Sequence, residues 1–563
     1  MRFLRYSLLM LCLASTLQAQ VRTETRSFNI QPTLAKSEGL HRVIESEPLP
    51  ISVAGDPFVS IAPSWDFGQQ TPSHAHIQLR VSTDGLNWDE WMDAGHDSHA
   101  ELEPGIVQGN LVFFSADARF VQYRVVAGMA DILPRSVSLF MVNPGTTNEA
   151  DTKAKAVEFE VNTAANYALP VYVPRSSWGG NLNLTDNRSG ANPITVTHLW
   201  VHHSAGQTNS SDFAAVVRSY YVYHTSAPLS WSDIGYNWLV DPNGVSYQGR
   251  EHSLNIFTNQ GNPDVRGAHA PGVNGTTMGV CVIGDYTNIL PSEKAIVALR
   301  NMLAWKANEK GMDVLGTRNV GVNNYNIISG HRDDVASSTA CPGSSFYPTL
   351  PSVRRRVHAF MNPPIVSEPT VSVTASVSSD ASLSGFVNPR RSATEWFFEV
   401  ARNPEFTAAT ISDGGEFAFG VDAPTEVTQL VSGLDVGATY YYRLYAVNSD
   451  TLTVSETRSF VAGEVTISVD RGPETVDRME LDQNYPNPFN PSTVIGFRLS
   501  VFSQVSLRVY DLLGREVAVL VNGPMAAGTH SVEFDASELA SGVYMYELVA
   551  DGTRITRLMT LVK

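Results

Sequence analysis

The sequence predicts a multidomain chain: a central α/β domain, a mixed β-sheet flanked by helices, with β-sandwich domains on either side. Three observations predict it. At 563 residues the chain is too long for one hydrophobic core, so several domains are required. Period-two alternation of apolar and polar residues dominates both ends. Between about residues 194 and 311, strand-like runs instead alternate with segments of helical spacing.

The elements follow in chain order. Residues 1–19 have the pattern of a secretory signal peptide: Arg2 and Arg5, an apolar run from Ser7 to Ser15, and Leu17-Gln18-Ala19 before Gln20. Residues 20–145 form the first β-sandwich. His76-Ile77-Gln78-Leu79-Arg80-Val81-Ser82 alternates and is followed by an Asp84-Gly85 turn. Phe120–Val125 and Ser136–Val142 are two further strands. Trp65, Trp88 and Trp91 serve either as core or as an exposed glycan platform. Residues 146–169 are polar, rich in Thr and Ala, and form a linker.

The central domain spans residues 170–362. Ile194–His202 is a β-rich run. Ser211–His224 has helical spacing, with Phe213, Val216, Val217, Tyr220 and Tyr221 on one side and Ser211 or Asp212 as N-cap. Tyr236–Val240 and Gly244–Gln248 flank a Pro242-Asn243-Gly244 turn, and Gly279–Ile283 is another strand. Pro291-Ser292-Glu293 opens a helix that runs to about Lys310 and is closed by Gly311. Residues 363–463 return to β character around Trp396 and the strand Thr439–Asn448. Residues 464–478 are a second linker, and residues 479–563 form a small terminal β-sandwich with glycine turns.

A formal charge of −17 argues against nucleic-acid binding, which requires basic surface. Beyond the N-terminus, no segment is apolar over enough length to span a bilayer. Removal of residues 1–19 leaves two cysteines, Cys281 and Cys341, so no disulfide framework is expected. Cys281 lies in an apolar strand-like run and is expected to pack as a small hydrophobe. Cys341, between Thr339 and Pro342, lies in loop sequence and is available to a metal.

The chemistry gathers in three phrases: Leu199-Trp200-Val201-His202-His203-Ser204, Trp231-Ser232-Asp233-Ile234-Gly235-Tyr236-Asn237, and Ser329-Gly330-His331-Arg332-Asp333 with Cys341-Pro342-Gly343 beyond it. Two imidazoles and a thiolate can hold Zn2+ and leave its fourth position open, the pattern of a catalytic zinc. Successive side chains on a strand face opposite ways, so His202 and His203 do not readily bind one metal.

From Pro170 to Asn362 these phrases resemble the zinc amidases of the peptidoglycan recognition protein family, relatives of phage lysozyme-type amidases. The resemblance implies zinc ligands His202, His331 and Cys341. It implies an active-site Tyr236, and it places Thr339 where phage relatives carry lysine. Trp178 and His269 match family phrases of the stem-peptide groove. Retention of Cys341 implies hydrolysis of the amide between N-acetylmuramic acid and L-alanine in peptidoglycan. The alternative is a non-catalytic peptidoglycan-binding surface protein. Tyr247-Gln248-Gly249-Arg250 runs into Glu251-His252-Ser253, without the Gly-Trp-type pair of eukaryotic relatives, so their preference between diaminopimelate and lysine stem peptides does not carry over.

Two further resemblances concern the C-terminal part. Leu434, Gly437-Ala438-Thr439-Tyr440 and the strand after them resemble a fibronectin type III domain, which implies a spacer. Gln483-Asn484-Tyr485-Pro486-Asn487-Pro488-Phe489-Asn490-Pro491, with Val509–Val517 and Leu539–Tyr544, resembles the C-terminal domains read by the type IX secretion machinery. The implied location is secreted or cell surface.

Overall fold

The computed structural model describes residues 20–72, 74–97, 103–147, 167, 169–184, 193–206, 210–250, 264–372, 379–463, 479–499, 503–511, 515–525, 528–550 and 553–562. The expected signal peptide, most of the first linker, the second linker and the Glu251-His252-Ser253 departure lie outside the described residues. The chain divides into two compact units, Met1–Glu464 and Val465–Lys563. No helix among the described residues is long and apolar enough to cross a membrane.

The N-terminal part of the first unit holds two antiparallel sheets. Val59–Asp66, Ser136–Asn143 and Arg22–Asn29 pair in one. Phe120–Gly128, His76–Ser82 and His41–Glu45 pair in the other. Alternate residues such as Ile61, Leu79, Val125 and Leu139 point into a shared core, and Trp65 is buried among them. Trp88 and Trp91 are only half-buried, and Arg80 stacks over them at 5.1 and 4.2 Å.

The central part is built on a six-stranded mixed sheet. Its strands are β1 (Tyr172–Val173), β2 (His198–His203), β3 (Trp238–Val240), β4 (Ser246–Gln248), β5 (Thr277–Val282) and β6 (Ile328–Gly330), in spatial order β1-β4-β3-β5-β2-β6. All neighbours are parallel except β3 and β4, which flank the tight turn at Asn243-Gly244. Helix α1 (Phe213–Thr225) covers one face, and its N-cap Asp212 accepts from the Ala215 N–H at 2.9 Å. Helices α2 (Glu293–Glu309) and α3 (Leu350–Met361) cover the other. Ser292 caps α2 through the Ala295 N–H, and Gly311 ends it with φ of 61°.

Helix α1 is also where the N-terminal sheets meet the central part. Phe58, Ala62, Leu111, Phe140 and Val142 join Phe213, Val217 and Tyr220 in one apolar cluster. Arg218, fully buried, donates to the Pro144 and Gly145 carbonyls at 2.7 and 2.6 Å. Residues of the N-terminal sheets therefore share a core with the part that follows.

Residues 363–463 form two antiparallel sheets around Leu383, Phe398, Tyr442 and Leu444. The Tyr440 hydroxyl accepts from the Asp435 N–H at 3.0 Å, a tyrosine-corner contact just ahead of its strand. This part is pinned to helices α2 and α3 by Asp450. Its carboxylate lies 2.5 Å from Arg300 on α2 and 3.1 Å from Arg356 on α3, with the Asp450 side chain fully buried. Asp450→Ala would leave buried Arg300 without its counter-charge. The expected loss is about 3–5 kcal/mol, read as a lowered urea midpoint of the first unit. An unchanged midpoint would show that the pair contributes nothing.

The second unit has a three-stranded and a four-stranded sheet. Ile495, Phe497, Val505, Leu507, Tyr546 and Leu548 form its core. Asn484 of the proline-rich phrase is buried, and its side chain donates to the Pro486 carbonyl and to Thr493 Oγ1, both at 3.0 Å.

Candidate functional site

Strand β2 is central in the sheet, between β5 and β6, and its register sets Val201 opposite Gly330. His202 and His331 thus emerge together at the C-terminal ends of neighbouring parallel strands. Open α/β sheets place their sites at this edge. His331 begins a short 3-10 turn, His331–Asp333, held by the Gly330 N–H donating to Asp333 Oδ2 at 2.9 Å. The Arg332 N–H donates to the Cys341 carbonyl at 2.9 Å and ties the cysteine loop to this turn.

The result is one cluster. The ligand atoms of His202, His331 and Cys341 lie within 4.8 Å of one another, and all three residues are buried. Cys341 Sγ is 3.7 Å from His202 Nδ1, and the His203 N–H points at the sulfur from 3.4 Å. Two nitrogens and one sulfur converging this closely suit a borderline-soft dication. Burial pushes the Cys341 thiol up from its ordinary value, against the opposing pull of the His203 N–H. A bound dication is the influence that would favour the thiolate.

His203 lies outside the triad, as alternation on a strand requires, with Nδ1 3.8 Å from Asp285 Oδ1. Tyr236 is buried, with its ring centroid 5.5 Å from that of His202. Burial, then the Cys281 and Cys341 sulfurs, push its phenol well up, so it remains protonated and able to donate at neutral pH. Thr339 is half-buried at the edge of a cleft, and its hydroxyl accepts from the Cys341 N–H at 2.9 Å. Cys281 is fully buried and forms no disulfide.

Two residues expected in a stem-peptide groove, Trp178 and His269, are buried. Trp178 is fully buried and donates from Nε1 to the Gln248 carbonyl at 2.8 Å. His269 is also fully buried, with Nδ1 2.9 Å from His202 Nε2. Neither offers surface to a substrate in this conformation. His269 instead backs the imidazole of the triad, where a partner on the far nitrogen fixes a ligand's tautomer and orientation. Gly267 and Gly279 leave it room: a Cβ on either would stand 2.3–2.4 Å from the His269 ring. The phrase Gly267-Ala268-His269 signalled the position in sequence but not the direction in which the ring points.

Cys341, alone of the triad, lines a cleft of about 610 Å³ together with His203 and Thr339. Its far wall, unforeseen from sequence, comes from the N-terminal sheets: Met92–His96 and Asn110–Val112 line it.

Comparison with known proteins finds relatives of the central part and of the C-terminal part. Residues 191–344 match the family described as N-acetylmuramoyl-L-alanine amidase. Peptidoglycan-recognition protein SC2 of Drosophila melanogaster is 32% identical over 178 residues, 31% of this chain and 82% of the relative. N-acetylmuramoyl-L-alanine amidase of Mus musculus is 31% identical over 195 residues, 33% of this chain and 32% of that protein. Among solved structures, Drosophila PGRP-LB wild-type matches at 24% identity and TM-score 0.25, over 32% of this chain and 91% of that one. The chain belongs to the peptidoglycan-recognition protein and N-acetylmuramoyl-L-alanine amidase family. Residues 483–561 match the secretion system C-terminal sorting domain, which marks the chain for export.

Proposed function

We propose that the protein is a secreted, zinc-dependent N-acetylmuramoyl-L-alanine amidase that hydrolyses the amide between N-acetylmuramic acid and L-alanine in peptidoglycan. The observation that carries this is the convergence of His202, His331 and Cys341 within 4.8 Å beside an open cleft. A protein that only bound cell wall would not need a thiol in that cluster. Zinc held by these three residues would supply Lewis acidity at the scissile carbonyl and a more acidic water.

The chain's own residues do the rest. His269 orients the His202 imidazole. The His203 N–H stabilises negative charge on Cys341. Tyr236 packs its ring beside His202 and Thr339 holds its hydroxyl next to the Cys341 N–H, and each carries a hydroxyl that could donate one hydrogen bond to a developing oxyanion. In this reading residues 1–19 are a signal peptide, residues 363–463 a fibronectin type III-like spacer supported by the Tyr440 corner, and residues 479–563 the sorting domain for type IX export.

Mass spectrometry of muropeptides released from purified sacculi tests the activity. Free stem peptides with an L-alanine N-terminus are expected. Retention on sacculi without release would favour the non-catalytic alternative. Within the enzyme reading, Tyr236→Phe removes one donor and little volume. Turnover should fall roughly ten- to a thousandfold with little change in KM. Unchanged turnover on sacculi would reduce Tyr236 to packing.

A further inference from the structure

The cleft beside the triad is not built by the catalytic part alone. His203, Thr339 and Cys341 form one side, and Asp93, His96 and Asn110 face them from the N-terminal sheets. The wall is fixed in place. The Asp97 N–H donates to the Gln108 carbonyl at 2.8 Å, and the Asn110 N–H to the Ala94 carbonyl at 2.9 Å, joining its two segments. Tyr223 of α1 donates to buried Asp97 at 2.6 Å, and the Phe113 and Tyr220 rings meet at 5.7 Å. The catalytic side is shaped for this approach. A Cβ on Gly206 would stand 2.9 Å from the Leu111 carbonyl oxygen and 2.6 Å from the Tyr220 hydroxyl. Any side chain at Gly206 would push the wall away.

The chemistry of the lining narrows what binds there. No Lys or Arg is among its described residues. A stem peptide presents carboxylates, which guanidinium and ammonium groups recognise. A glycan strand is neutral and rich in hydroxyls. The Asp93 carboxylate, the Asn110 amide and the exposed His96 imidazole can accept from or donate to such hydroxyls. Met92 and Val112 add apolar surface for the carbon face of a pyranose or an acetyl methyl.

We infer that the N-terminal β domain supplies one wall of the substrate cleft, and that Asp93, His96 and Asn110 bind the sugar backbone of the glycan strand beside the metal triad. The inference rests on the reading of the chain as a protein that acts on peptidoglycan.

The test uses the full chain and tetra-N-acetylchitotetraose, a neutral tetramer with β1,4-linked N-acetylglucosamine, titrated by calorimetry. The wild type is expected to bind at millimolar concentration. His96→Ala with Asn110→Ala should weaken binding about tenfold or more, the effect of losing roughly one good hydrogen bond. His96→Ala alone, at an exposed position, serves as the second variant, and the thermal midpoint of each should match the wild type. Absence of wild-type binding, or equal binding by both variants, would overturn the inference. The two readings fail separately. Sugar binding without peptide release from sacculi sinks the amidase and leaves the wall; release without sugar binding does the opposite.

Discussion

Cys341→Ser is expected to abolish release of stem peptides from sacculi while leaving the protein folded and still able to sediment with them. The reason lies in what each atom can hold. A serine hydroxyl is a poor ligand beside two imidazoles, so the cluster loses its only soft, charge-bearing donor. Several kcal/mol of transition-state stabilisation depend on a Lewis acid at the carbonyl, which corresponds to roughly a thousandfold or more in rate. The fold has other supports. The catalytic sheet is filled by Val201, Trp238, Val280, Leu299 and Phe346, none of which depends on the sulfur. The substituted protein should therefore keep its thermal midpoint to within a few degrees and lose its bound zinc, measured by metal analysis of dialysed protein. Release at the wild-type rate, or by metal-free wild type, would remove zinc from the mechanism.

Deletion of Met479–Lys563 is expected to give the converse: full hydrolysis in purified protein and failure of export in the host. This segment lies within a separate compact unit with its own apolar core. It matches the sorting-domain family over residues 483–561. An N-terminal signal of the kind expected at residues 1–19 carries a chain only across the inner membrane. The truncated protein should accumulate in the periplasm, as fractionation and immunoblotting would show. Normal levels of truncated protein in the medium or on the cell surface would reduce the segment to a terminal β domain.

The parts of the molecule legible in sequence were those encoded locally. Helix α2 was expected from Pro291 to about Lys310 and spans Glu293–Glu309, because Ser292 and Gly311 mark its ends through short-range geometry. Asp212 capped α1 for the same reason. The β-rich run over Ile194–His202 is two pieces. Pro193–Ile194 pairs with Asp264–Val265 in a separate ribbon, and only His198–His203 joins the main sheet. Apolar residues announce a strand but not its partner. Helix α3 went unread. Its apolar face of Val353, Val357 and Phe360 is interrupted by Arg354, Arg355 and Arg356, two of which are committed to tertiary contacts with Asp450 and the Ile328 carbonyl.

The site divides in the same way. His202, His331 and Cys341 stand in phrases whose residue types state their chemistry, and the parallel strands bring them together. The orientation of Trp178 and His269 was not legible, since a matching phrase fixes a position and not a facing. Asp93, His96 and Asn110 had no signal at all. They reach the cleft only because Leu111 and Phe140 are buried against helix α1, across about a hundred residues of chain.

That shared apolar cluster has a bearing on ancestry. Beads on a string can be exchanged between genes because each arrives with its surface already finished. Here the outer face of one sheet is the inner face of the next layer: Phe58, Phe140 and Val142 share one apolar cluster with Phe213 and Val217. A recombination event between them would hand each descendant a raw hydrophobic scar. The two segments are bound to be inherited together, and substitutions on either side of the seam should be tolerated only in compensating pairs.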